Sequence, residues 1–213
     1  MYLEAINREL KKVWPYNRRV KIVCHGHSIP CGYMAENVVK PLDAYPQLLL
    51  DKLSERFPHA VCSVITTAIG GENSIDGAKR FETDVLSLNP DVVTIDYGRN
   101  DMFISKEDMI ASWESMILSA KARDIKVILI TPAIDCGLVY YDEAKRQLSD
   151  DEMSDIIIGL AQKHDLAYAD VHNHFMKLLE SGHTRDEYTA SLNHINRAGH
   201  AVVMSEIIKW IEY

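Results

Sequence analysis

A serine, a glycine pair, an asparagine and a histidine stand on four separate connections of this chain. They are Ser28 in 26-GHS-28, Gly71 in 69-IGGENS-74, Asn100 in 98-GRND-101 and His194 in 191-SLNHINRAGH-200. Acyl transfer needs such a set: a nucleophile, a base to take its proton, and donors aimed at the oxyanion. In that chemistry Ser28 attacks and His194 accepts its proton. The backbone N–H groups of Ser28 and Gly71 and the side-chain amide of Asn100 hold the developing negative charge. A glycine suits position 71 because a backbone donor aimed at substrate must be open to close approach.

Taken singly, each residue has a plainer reading. A serine after a strand is commonly a helix N-cap, and a Gly-Gly pair is commonly a turn. Asn100 followed by Asp101 fits a turn or cap, and a lone histidine before a helix fits the surface. Their occurrence together, at the strand ends and in this order, carries the argument.

The elements that position them are legible as short β-branched runs alternating with longer amphipathic segments. The runs are 20-VKIVCHG-26, 60-AVCSVITTA-68, 91-DVVTIDYG-98, 125-IKVILITP-132 and 166-LAYADV-171. Continuous apolar runs of this length suit strands covered on both faces. Helical patterns fall at about 43–57, 74–88, 105–123, 149–164 and 196–211. Ser105 with Asp108 and Ser149 with Glu152 each have the serine-to-acid spacing of a capped helix start. Met109, Trp113 and Met116 recur at helical spacing and belong to the core.

The pattern predicts a three-layer α/β fold: a flavodoxin-like, five-stranded parallel sheet with helices on both faces. The whole chain, 1–213, reads as a single domain with an N-terminal helical extension over 1–18. In such a sheet ligands bind outside the carboxyl ends of the strands, where all four residues lie. The long connection 132–149 lies at the same edge, so Tyr140 and Tyr141 are expected to form a substrate wall.

Bulk properties narrow the classes. The chain has 213 residues, 47% of them hydrophobic, and a formal net charge of −8. No basic stripe is present for a nucleic-acid backbone, and Lys11, Lys12, Arg18 and Arg19 read as a solvated face. No stretch approaches the ~18 consecutive apolar residues of a membrane span. The N-terminus lacks the apolar segment of a signal peptide. Cys24, Cys31, Cys62 and Cys136 are scattered without metal-type pairing, which fits a reduced, cytoplasmic protein.

With these residues in place, the sequence resembles the SGNH hydrolase superfamily, the GDSL-type esterases. The family's Gly-Asp-Ser block is similar to Gly26-His27-Ser28. Its glycine block is similar to 68-AIGGENS-74, which puts the oxyanion glycine at Gly71. Its Gly-x-Asn-Asp block is matched in full by Gly98-Arg99-Asn100-Asp101. Its last block, an acid three residues before the histidine, is similar to 191-SLNH-194. The resemblance implies a serine esterase working through an acyl-enzyme, with no cofactor. The implied substrate is a small carboxylic ester, such as a short acyl or acetyl group on a sugar or metabolite; thioesters and lysophospholipids also occur in the superfamily.

Two positions depart from the family. His27 replaces an aspartate that is generally structural. Ser191 stands where the triad acid belongs, leaving three arrangements open: a Ser–His dyad oriented by the Ser191 hydroxyl, a dyad oriented by a backbone carbonyl, or an acid such as Asp186 or Glu187 folding back. Pro30 excludes the G-x-S-x-G elbow of α/β-hydrolases. Two rival readings stand beside the esterase. One is a metal-dependent hydrolase using His25 and His27, with His172 and His174 repeating the spacing at a helix start. The other is a degenerate site that only binds.

Overall fold

The computed structural model describes residues 2–35, 38–138 and 142–212. The five apolar runs become β1 (Arg19–Gly26), β2 (Val61–Thr66), β3 (Val92–Asp96), β4 (Lys126–Ile130) and β5 (Ala167–Ala169). They form one parallel sheet in the order β2-β1-β3-β4-β5, the flavodoxin-like arrangement expected from the sequence. Every residue of β3 is buried, as a central strand covered on both faces requires.

Side chains alternate across the pleat, and this alternation divides the core into two layers. Ile22, Cys24, Val92, Ile128 and Ile130 face one layer, built with α1 (Glu4–Leu10), α3 (Tyr45–Arg56), α7 (Val171–Glu180) and α8 (Arg197–Ile208). Val23, Val93, Ile95, Val127 and Leu129 face the other. That layer is built with the segment after α4 (Ser74–Arg80), with α5 (Lys106–Lys121) and with α6 (Asp150–Lys163). Met109, Trp113 and Met116 of α5 are all fully buried there, as their spacing predicts.

The helix starts follow their caps. Ser105 Oγ accepts from the Asp108 N–H at 3.1 Å, and Ser149 with Glu152 closes a full capping box at the start of α6. Three elements differ from the sequence reading. The N-terminal helix is short and is no appendage, because Leu3, Ile6 and Leu10 are part of the core. The helix expected over 74–88 ends at Arg80 and continues as a π-helical turn, Phe81–Val85, then a 3-10 turn, Leu86–Leu88. And α7 starts where β5 was expected to continue: the Asp170 side chain accepts from the Asn173 N–H and so caps a new helix.

The connection from β1 leads outward to β2, and the chain then crosses back to place β3 on β1's other side. The order in which strands are added reverses between β1 and β3, and the crevice at their carboxyl ends is the switch point where such folds bind ligands. Gly26, the last residue of β1, stands opposite Asp96, the last of β3. Among the described residues no helix is long and apolar enough to cross a membrane.

Candidate active site

Ser28 sits directly at the switch point. Gly26 is required beneath it, since a Cβ there would lie 2.4 Å from the Asp96 carbonyl oxygen. The chain then turns into a four-residue helix, α2 (Ser28–Cys31), capped by His27, whose Nδ1 accepts from the Ile29 N–H at 3.3 Å. This cap fixes Ser28 in the first turn, 8% exposed, with its hydroxyl at the crevice.

His194 comes from the loop before α8. That loop closes on itself: the His194 carbonyl accepts from the Ala190 and Ser191 N–H groups, and Thr189 bridges Ile195. Asn196 anchors it below, its side-chain oxygen accepting from the Ala198 and Gly199 N–H groups and its amide donating to the Glu187 carbonyl. The imidazole Nε2 then lies 2.9 Å from Ser28 Oγ, and the Tyr33 ring stacks on it at 5.9 Å between centroids. Nδ1 lies 3.3 Å from Ser191 Oγ. Burial lowers the pKa of His194, the electrostatic influence of the neighbouring His27 lowers it further, and a Met34 backbone hydrogen bond opposes both. The histidine is thereby kept neutral, the state in which it can accept a proton.

Neither carboxylate considered for an acid folding back reaches His194. Glu187 accepts from the Thr184 N–H at 2.8 Å and pairs with His183 at 2.8 Å, while Asp186 is exposed on the same 3-10 turn. The Ser191 hydroxyl is at Nδ1, and the Met34 backbone is a further hydrogen-bond partner of the ring.

The remaining two blocks converge from β2 and β3. The Ile69 N–H donates to the Gly26 carbonyl at 3.0 Å, tying the glycine loop to the end of β1. Gly71 has φ +84° and nothing within 4 Å of where a Cβ would be, so its backbone faces open space. Asn100 Nδ2 donates to the Glu72 carbonyl at 2.7 Å, joining the two blocks and leaving the amide's second N–H for another acceptor. Glu72 is held from behind by the Arg80 guanidinium at 2.9 and 3.0 Å.

Asp101 makes this loop rigid. It is fully buried, with one oxygen accepting from the Ser74 N–H and the other from the Trp113 indole, both at 2.7 Å. Burial pushes its carboxyl up to about 6, against those two hydrogen bonds. Arg99, also buried, pairs with Asp135 and, at 2.9 Å, with Asp150. Asp135 also meets Arg185, and the neighbouring Cys136 N–H donates to the Leu192 carbonyl at 3.1 Å, inside the His194 loop. The sequence signals neither clamp, because both depend on partners far along the chain. Tyr33 was equally silent, one residue in a turn. Tyr140 and Tyr141, expected as a substrate wall, lie outside the described residues.

The histidines of the metal reading are committed elsewhere. His25 contacts Thr67 Oγ1 through Nδ1 and the Gly77 carbonyl through Nε2, and burial lowers its pKa to about 4. His172 pairs with Asp151 at 2.7 Å, and His174 with Glu206. Among the described residues no three His, Cys, Asp or Glu side chains are grouped to hold a metal ion.

Comparison with known proteins agrees with this fold and with the four sequence blocks. The model of the GDSL-like lipase/acylhydrolase family matches residues 24–202, a span holding all four blocks. No curated protein matches. Among solved structures, a catalytic mutant of an acetylxylan esterase from Geobacillus stearothermophilus superposes with a TM-score of 0.77 at 20% identity, covering 95% of this chain and 97% of its own. A lipase/acylhydrolase from Enterococcus faecalis gives 0.72 at 24% identity, covering 90% and 95%. A two-domain esterase active on acetylated mannans gives 0.76 at 23% identity; 98% of this chain is covered, which spans about half, 51%, of that protein. These likenesses are to the fold, and the family match is to the sequence blocks themselves. The chain belongs to the GDSL-like lipase/acylhydrolase family and is an ester-cleaving hydrolase.

Proposed function

We propose that the protein hydrolyses a carboxylic ester through an acyl-enzyme on Ser28. The observation that carries this is the 2.9 Å contact between His194 Nε2 and Ser28 Oγ at the switch point of the sheet. His194 takes the hydroxyl proton as Oγ bonds to the ester carbon. The Ser28 and Gly71 N–H groups and the free N–H of Asn100 receive the oxyanion. Collapse of the intermediate breaks the ester C–O bond, the alcohol leaving with the proton from His194. Water then attacks the acyl-enzyme with the same base, and the carboxylic acid leaves Ser28.

Catalytic mutants of the Geobacillus stearothermophilus acetylxylan esterase replace a serine, an aspartate and a histidine, the aspartate three residues before the histidine. Here that position is Ser191, so the base works as a dyad with a hydroxyl behind it. The acetylxylan and acetylated-mannan activities of the similar structures support a short acyl group, acetyl foremost, on a carbohydrate-like alcohol.

The test is turnover of p-nitrophenyl esters of graded chain length by the wild type and Ser28→Ala. Activity greatest on acetate and abolished by the substitution, in a variant folded by circular dichroism, is the expected outcome. A folded Ser28→Ala protein with wild-type turnover overturns the assignment.

A further inference from the structure

Ser28 Oγ lies between two imidazoles. His194 Nε2 is 2.9 Å away, and His27 Nδ1 is 3.4 Å away. His27 is 1% exposed, and the carboxylate of Asp96, itself 3% exposed, places Oδ1 3.5 Å from His27 Nε2.

Two observations fix the tautomer of His27. The Ile29 N–H donates to Nδ1, so Nδ1 carries a lone pair and no proton. The ring proton is therefore on Nε2, which is buried with no hydrogen-bond partner and lies 3.5 Å from the Asp96 carboxylate. The result is a carboxylate–imidazole–hydroxyl series, Asp96–His27–Ser28. The His27 Nδ1 lone pair is shared between the Ile29 N–H at 3.3 Å and the Ser28 hydroxyl at 3.4 Å, where His194 presents its own from Nε2.

We propose that His27 is a second proton acceptor for Ser28, and that Asp96 supplies the carboxylate that position 191 lacks. The proposal rests on the reading of Ser28 as the nucleophile.

The energetics of the two acceptors differ. Protonating His194 creates a cation with the Ser191 hydroxyl and the Met34 backbone beside it and no carboxylate. A proton taken up by His27 is faced by the Asp96 carboxylate 3.5 Å away. His194 has the shorter contact with Oγ, and His27 has the nearer carboxylate. In the step assigned to His27, the Ser28 hydroxyl proton moves to Nδ1 and Oγ bonds to the electrophilic carbon or phosphorus. With a p-nitrophenyl ester or a fluorophosphonate the leaving phenolate or fluoride departs unprotonated, and the imidazolium later gives its proton to solvent. The titratable groups around His27 are Asp96 at the end of β3, Asp101 after it, and His194 on the loop before α8.

The test is the rate of labelling by a fluorophosphonate as a function of pH. Wild type, Ser28→Ala, His194→Ala and the double variant His27→Asn with His194→Ala are compared, each shown folded by circular dichroism. Asparagine is a good N-cap, so α2 keeps its start while losing a base. Labelling in Ser28→Ala would remove the nucleophile reading itself, separately from the present one. With that control clean, His194→Ala should still label, with an acid limb in its profile. Adding His27→Asn should lower the rate by about 10², the low end of what a positioned base contributes, and erase the limb. If the double variant fails to fold, Asp96→Asn in the His194→Ala background should produce the same kind of loss. The proposal is overturned if His194→Ala does not label at all. It is equally overturned if replacing His27, or Asp96 where the double variant is unfolded, leaves rate and profile unchanged, which would make His27 a helix cap only.

Discussion

Ser191 Oγ and Ser28 Oγ contact opposite nitrogens of the His194 ring, at 3.3 Å from Nδ1 and 2.9 Å from Nε2. If Nε2 is to accept the serine proton, Nδ1 must carry the ring hydrogen and donate it to Ser191. A hydroxyl fixes this tautomer without supplying charge for the imidazolium. Ser191→Asp supplies it. A neighbouring carboxylate raises the histidine pKa, so the acid limb of kcat/KM should move to higher pH. The kcat gain should fall short of the ~10⁴ that the aspartate contributes in a complete triad, because Ser191 already orients the ring. A pH–rate profile with an unmoved limb would sink this account.

The wild-type limb has a stated direction. Desolvation lowers the His194 pKa from 6.5, so the neutral base persists to lower pH than for an ordinary histidine. Activity should therefore hold at pH 6.5 and fall off only at lower pH. A single-base limb lying above that value contradicts the burial argument.

Asn100 spends one amide N–H on the Glu72 carbonyl, and its other N–H is the one proposed for the oxyanion. Asn100→Ala should lower kcat by about 10²–10³, the cost of losing one such donor. KM should change less, since the charge exists mainly in the transition state. Steady-state kinetics on p-nitrophenyl acetate decide it, and an unaltered kcat removes Asn100 from the hole.

Glu187 is occupied by Thr184 and His183, away from the catalytic histidine. Glu187→Gln should leave kcat/KM and its pH profile as in the wild type. A severe loss of activity in the folded variant would make this residue the missing acid and displace the Ser191 dyad.

Buried histidines should make the fold acid-sensitive. Burial lowers His25 from 6.5 to about 4 and His200 from 6.5 to about 3, so near pH 5 the unfolded chain binds about two more protons at these sites. Asp101, raised from 3.8 to about 6, binds about one more proton when folded, in the opposite sense. For the three groups together, stability falls as pH drops from about 6 to about 4. His200→Gln should reduce that slope by roughly one proton, about 1.4 kcal/mol per pH unit. Urea unfolding at a series of pH values measures it; parallel curves for variant and wild type refute the assignment.

Much of this architecture follows from local pattern. The run Val92–Asp96 is apolar and β-branched enough to specify a buried strand, and Ser149 with Glu152 specifies the start of α6 without help from elsewhere. The break at Arg80 was not legible, because the helical apolar pattern continues through Phe81–Val85 while the backbone widens to a π-helical turn. Nor was the start of α7, whose capping Asp170 lies within what reads as the end of a strand.

By itself the sequence determined the parallel α/β sheet, the family, and which four residues stand at its carboxyl edge, since residue type, period and short spacings are local properties. Only the tertiary structure decided what faces His194. Ser191, Asp186 and Glu187 are all within nine residues of it along the chain, and the path of the loop brings the hydroxyl to Nδ1 while a 3-10 turn commits Glu187 to its own cap. The pairing of His27 with Asp96 is of the same kind. These residues are far apart in sequence and meet because β1 and β3 end side by side, a consequence of strand order that no local pattern encodes.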